Sequence, residues 1–227
     1  MKPKPNTNKP VCIPRDIVLK SSMLCLGNID DEIQQGYNII RKHHKTVTVF
    51  GSARTPSSSP YYQKARQLSK RLAEDDYAVI TGGGHGIMAG ANLGAMEAGG
   101  DSIGFNINLP HEQTLNEYTT ESFAFTHFAP RKIVMTMYAD AYIYFPGGFG
   151  TLDELTEILT LIQTGKTTKA PVILFGSEFW NAFDELSRTD LLMHKTIAEV
   201  DLSLYTITDS LEEAYQIVKS NKTYCDH

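Results

Sequence analysis

The 227 residues read as a doubly wound α/β domain, a parallel sheet with helices on both faces. Two observations predict this. Short β-branched runs alternate along the chain with segments of helical periodicity, the pattern of parallel strands joined by crossover helices. Two glycine clusters, Gly82-Gly83-Gly84-His85-Gly86 and Pro146-Gly147-Gly148-Phe149-Gly150, each lie directly between a strand and a helix.

The elements follow in order. Asp30 to His44 carries Ile33, Tyr37 and Ile40 at helical spacing and ends in basic residues, which suits a helix C-terminus. Thr46-Val-Thr-Val-Phe50 is a strand stopped by Gly51, and Ser57-Ser58-Ser59-Pro60 starts a helix running to Glu74. Tyr77 to Thr81 is a strand, Ile87 to Glu97 a helix ended by Gly99-Gly100, and Ser102 to Ile107 a strand. Residues 109–128 are polar and irregular and receive no element. A helix opens at Pro130, and the strand Ala141 to Phe145 and a helix from Thr151 to Thr164 follow. Pro171 to Phe175 is a strand, Glu178 to Leu186 a helix and Leu204 to Ile207 a short strand, and Asp209 caps a last helix to Ser220. The chain divides into an N-terminal arm and helix, 1–45, and a single domain, 46–227.

Composition narrows the function. With 21 basic and 26 acidic residues, net charge −5, there is no broad cationic field for nucleic acid or an anionic membrane. Cys12, Cys25 and Cys225 are few, odd in number and not in metal spacing, as expected of reduced thiols in a cytosol-like compartment. Met1 to Asp16 has four prolines and scattered basic residues but no following apolar core, so it reads as an extended arm rather than a signal peptide. No apolar run reaches the ~20 residues of a membrane span. The expectation is a soluble cytoplasmic protein.

Ligands of such a sheet bind outside the carboxyl ends of the strands, where both glycine clusters fall. Glycine there lets backbone N–H groups approach an anion, and the following helix N-terminus favours phosphate. Gly84-His85-Gly86-Ile87-Met88-Ala89 fits a dinucleotide fingerprint, but Phe105 to Asn108 holds no acid for the ribose, and neither cluster carries a Walker lysine. Around the second cluster, Glu154 has two readings: a ligand-facing carboxylate, or the partner of Thr151 in a capping box. Arg131 and Lys132, after Pro130, either form a solvated basic pair or aim at phosphate, with Arg able to bind bidentately. Gly51 and Ser52 either bind ligand or cap a turn. The histidines show no metal spacing.

Val49-Phe50-Gly51-Ser52, the Gly82-Gly83-Gly84-x-Gly86-x-Met88 loop, Arg131-Lys132 and Pro146-Gly147-Gly148-Phe149-Gly150-Thr151-x-x-Glu154 together resemble the Lonely Guy (LOG) family of cytokinin riboside 5′-monophosphate phosphoribohydrolases, often labelled lysine decarboxylases. The resemblance covers residues 45 to 220, and the added N-terminal segment is similar to the longer, bacterial-type branch. It implies a Rossmann-like nucleotide-binding fold, a homodimer or higher oligomer, no cofactor and no metal. The implied reaction is hydrolysis of AMP or an N6-modified AMP to free base and ribose 5-phosphate. Arg131 and Glu154 are then the catalytic pair. Gly51, Ser52, Gly82, Gly83, Gly84, Met88, Lys132, Gly147, Gly148, Gly150 and Thr151 are the substrate-binding set, with Glu112 a base-side candidate by looser similarity. His85 departs from the small residue or proline expected in its turn. Three alternatives stand beside this: a broader nucleotide 5′-monophosphate nucleosidase, a non-catalytic nucleotide or cofactor carrier on the same fold, and a pyridoxal-phosphate decarboxylase, disfavoured because no lysine stands where a Schiff base would form.

Overall fold

The computed structural model describes residues 28–108 and 114–221. The N-terminal arm, the three cysteines and Glu112 lie outside the described residues. Seven parallel strands form one sheet: β1 (Thr46–Phe50), β2 (Ala78–Thr81), β3 (Ser102–Ile107), β4 (Glu121–Phe125), β5 (Ala141–Tyr144), β6 (Val172–Phe175) and β7 (Thr206–Thr208), in the order β4-β3-β2-β1-β5-β6-β7. Strand order reverses between β1 and β5, so their carboxyl ends form the topological switch point.

The helices are α1 (Ile29–Ile40), α2 (Pro60–Glu74), α3 (Ile87–Glu97), α4 (Phe128–Thr136), α5 (Phe149–Gln163), α6 (Ser177–Leu186) and α7 (Leu211–Ser220). They divide between the two faces of the sheet. On one, Ile39 and Ile40 of α1, Val134 and Met135 of α4, Leu155 and Ile158 of α5 and Trp180 of α6 pack with Phe105, Phe125 and Tyr144. On the other, Leu68 and Leu72 of α2, Ile87, Ala91 and Ala95 of α3 and Ala214 and Val218 of α7 pack with Val47, Val79 and Ile143. The inner strands β1, β2, β5 and β6 are buried at every position, which explains their continuous apolar or β-branched runs.

Most predicted elements form within a few residues of expectation. Ser59 caps α2 by accepting from the Tyr61 N–H, with Pro60 at the first helical position. Three expectations are corrected. The irregular middle contains β4, an edge strand whose burial alternates, so Glu121, Phe123 and Phe125 lack the signal of a buried run. The last helix is capped by Ser210, which accepts from the Glu213 N–H, while the Asp209 carboxylate accepts from the Ser177 N–H and hydroxyl. Finally, α5 starts at Phe149, with Gly148 as its N-cap and no side-chain cap. Thr151 and Glu154 therefore lie inside the helix, and the capping box does not form.

Candidate active site

Three turns meet at the switch point. After β1, the Ser52 N–H donates to the Pro146 carbonyl (3.0 Å) and the Ser52 carbonyl accepts from the Ile87 N–H (3.0 Å), tying the β1, β2 and β5 turns together. Gly51 is pressed against Ile87, where a Cβ would come within 2.7 Å of its side chain. Gly86 has φ +62°, and a Cβ there would strike the Ser52 carbonyl. Gly83 (φ +69°) donates its N–H to Thr81 Oγ1 (2.9 Å), and its carbonyl accepts from the Asn116 N–H. The Gly84 carbonyl accepts from Asn116 Nδ2 (2.9 Å). The hydrogen bonds of Ser52, Gly83 and Gly84 and the tight packing of Gly51 thus hold the turns in shape.

Gly82 makes room for Arg131. A Cβ there would collide with Arg131 Nη2 and approach the Met88 sulfur to 2.8 Å. Arg131, four residues into α4, donates from Nε to the Phe105 carbonyl (2.7 Å) and from Nη1 to Glu154 Oε1 (3.3 Å). The two side chains are 9% and 16% exposed. Burial raises the Glu154 carboxyl, and Arg131 pulls it back down only in part, leaving it at about 7. Burial likewise lowers Arg131 against the opposing pull of Glu154, and the guanidinium stays cationic at neutral pH. A carboxyl that titrates near neutrality beside a fixed cation is an arrangement expected of catalytic groups.

The second cluster is more open. Gly148 and Gly150 are exposed, with nothing within 4 Å of where a Cβ would sit. The uncapped N-terminus of α5 there presents first-turn amides without intrahelical partners. Thr151 is buried against Gly147, whose missing Cβ leaves space for its hydroxyl. Lys132 does not join this surface: it bridges to Asp153 (2.8 Å) and Glu157 (3.1 Å) and so ties α4 to α5.

Several supporting residues escaped the sequence reading. Asn92, buried in α3, accepts from the Thr81 hydroxyl (2.6 Å) and from Asn116 Nδ2 (3.0 Å) and donates to Ser102 Oγ (2.9 Å), fixing the glycine turn from beneath. A lone asparagine among the apolar residues Ile87 to Met96 was its only signal. Tyr144 donates to the Glu154 carbonyl (3.1 Å) and stacks on Phe50. A cavity of about 440 Å³ lies beside the Gly86 turn, lined by Thr55, Tyr62, His85, Ala89 and Asn116 among others, but not by Arg131 or Glu154.

A family model described as possible lysine decarboxylase matches residues 88–218, from α3 through most of α7. The probable cytokinin riboside 5′-monophosphate phosphoribohydrolase LOG4 of Oryza sativa subsp. japonica is 30% identical over 157 residues, 68% of each chain. The chain belongs to the LOG family. Another LOG-family relative, the cytokinin riboside 5′-monophosphate phosphoribohydrolase of Rhodococcoides fascians, is 30% identical over 142 residues, 60% of this chain and 70% of that one. Among solved structures, TM1055 superposes with a TM-score of 0.59 at 27% identity, over 77% of this chain and 98% of that chain. The molybdenum cofactor binding protein of Rippkaea orientalis shares the fold, with a TM-score of 0.55 at 24% identity over 77% and 94% of the two chains. Among the described residues no helix is long and apolar enough to cross a membrane.

Proposed function

We propose that this LOG-family chain hydrolyses the N-glycosidic bond of AMP and of cytokinin riboside 5′-monophosphates, releasing free base and ribose 5-phosphate. The observation that carries this is the buried Arg131–Glu154 pair at the switch point of the sheet, in a chain whose relatives are phosphoribohydrolases by name.

In the reaction, water oxygen bonds to the ribose C1′ while the C1′–N bond breaks, and the departing base takes up a proton. Positive charge builds on C1′ and the ring oxygen as the bond stretches. The Glu154 carboxylate stabilises that charge and holds the ribose hydroxyls or the attacking water, most strongly in a site from which water is excluded. Arg131 favours the ionised form of Glu154 and orients it, and its Nη2 lies over Gly82. The first-turn amides of α5, from Phe149 to Thr151, with Gly147 and Gly148, receive the 5′-phosphate, as an open helix N-terminus favours. One phosphate needs a local nest of amides and a cation or two, which a net charge of −5 permits.

The test is incubation with AMP and with isopentenyladenosine monophosphate, followed by chromatography for free base. Release of base is expected; intact nucleotide after long incubation with every nucleoside monophosphate tried would sink the proposal. A panel including GMP, IMP and pyrimidine monophosphates separates it from a broader nucleosidase. The same reading carries a cytoplasmic enzyme that works as a homodimer or larger assembly. The exposed Phe128 and Phe149, beside the site, support association, and sedimentation velocity checks it.

A further inference from the structure

We infer that Glu32, on α1, is a positioning residue that sets where α4 delivers Arg131 to Glu154. The helix α4 has no side-chain cap of its own at His127. The Glu32 carboxylate takes over the turn that leads into it, accepting from the Thr126 N–H (3.0 Å) and the His127 N–H (3.3 Å), with His127 Nδ1 at 3.3 Å. Glu32 is 8% exposed although it stands among Asp30 and Asp31 in the first turn of α1. Burial raises its carboxyl, and the hydrogen bonds from Thr126 and His127 together outweigh burial, so it rests below the ordinary range and binds the turn as an anion.

The rest of α1 braces α4 and the turn that follows it. Gly36 has no Cβ because Val134 occupies that space, 2.7 Å from where it would be, and Tyr37 meets Tyr138 edge-on at 5.1 Å. Four residues beyond the clamped turn, Arg131 makes its two directional contacts, to the Phe105 carbonyl and to Glu154. A slip of α4 by a fraction of an ångström would lengthen the already long 3.3 Å contact to Glu154 before it disturbed the core.

The charged and titratable groups around Glu154 are Arg131 and Lys132 from α4, Asp153 beside it on α5 and Tyr144 from β5. Among them Arg131 exerts the largest pull favouring the carboxylate. Loosening α4 should therefore move the protonation midpoint of Glu154 upward.

The kinetic part of the test rests on the hydrolase reading above. Glu32→Ala and Glu32→Gln are compared with the wild-type chain for base release from AMP between pH 5.5 and 9, and for urea stability over the same range. For Glu32→Ala the expected result is a kcat lower by about tenfold or more with KM little changed, and a rate midpoint raised by about half a pH unit. Glu32→Gln keeps one acceptor oxygen for the turn and should recover part of kcat. Unchanged kcat and midpoint in Glu32→Ala would overturn the inference. So would a loss of rate that only follows the loss of folded protein while the midpoint stays fixed. If the wild-type chain releases no base, the hydrolase reading falls, and the midpoint of the stability curve decides Glu32 alone: an upward shift in Glu32→Ala supports it and a fixed midpoint overturns it.

Discussion

Glu154 is free to face Arg131 because it takes no helix-capping role. As the sixth residue of a helix that starts earlier than its Thr-x-x-Glu spacing implies, it turns its carboxylate to Arg131, and burial holds it at about 7. If the ionised form carries the reaction, kcat/KM for AMP rises with pH through about 7 and levels off above it, since only the upper limb has the carboxylate. The second ionisation of the substrate phosphate, near ~6, adds a lower limb that every variant shares. Glu154→Gln should lower kcat/KM by about a hundredfold or more, by analogy with loss of a group that stabilises transition-state charge. A profile falling from pH 6 to 8 would instead assign Glu154 the role of proton donor. Gly82 provides a gentler test from the opposite side of Arg131. In Gly82→Ala the new methyl displaces Nη2 and the Met88 sulfur, so base release should drop by about tenfold or more while circular dichroism stays that of the wild type.

The elements meet this site at their ends, so packing far from the chemistry reaches it. Helix α3 leaves the Gly86 turn and crosses α2 at Gly90 and Gly94. A Cβ at Gly90 would come within 2.9 Å of the Tyr62 carbonyl, and one at Gly94 would strike the Arg66 carbonyl. These are backbone obstacles that no rotamer relieves, so Gly94→Ala should destabilise the chain by ~1–3 kcal/mol, measured as a lower urea midpoint with an unchanged slope. Central elements of this kind were legible in the sequence. The runs Thr46 to Phe50 and Ser102 to Ile107 are buried throughout, and Ser59-Pro60 is a local signal that needs no tertiary context. The edge strand β4 was not, because its exposed Ser122 and Ala124 alternate with its inward residues and its partner lies on one side only. At the site the sequence carried Arg131 and Glu154 and the glycines around them, but not the division of labour. Whether Gly82 serves a phosphate or an arginine, and whether Lys132 faces ligand or α5, depends on contacts made across the fold. Glu32 was the least legible, since its partners lie 94 and 95 positions along the chain.

Across the whole molecule, two sets of carboxyl groups bound the pH range of stability from opposite sides. Glu32, Asp75, Glu97, Asp184, Asp209 and Glu212 all sit below their ordinary values in the folded chain. The folded state therefore binds fewer protons than the unfolded one at low pH. Their stabilisation is present above the unfolded values, near ~4, and is lost as pH falls through the folded ones. Most belong to exposed pairs such as Arg71–Glu212, so each contributes little. Glu154 works the other way. Its folded value of about 7 exceeds the ordinary 4.5, so between those limits the folded chain holds a proton that the unfolded chain has released. Stability then falls as pH rises through that window, with a slope of up to ~1.4 kcal/mol per pH unit, and flattens above it. The two trends place the stability maximum on the acid side of neutrality, at about pH 4.5 to 5. Urea denaturation from pH 4 to 9 should trace that maximum, and in Glu154→Gln the decline between pH 5 and 7 should largely disappear while the acid limb stays. A wild-type curve that is flat or rising from pH 5 to 7 would mean that Glu154 is ionised throughout, held by Arg131 more strongly than burial opposes it. The rate profile would then lose its limb near 7 as well.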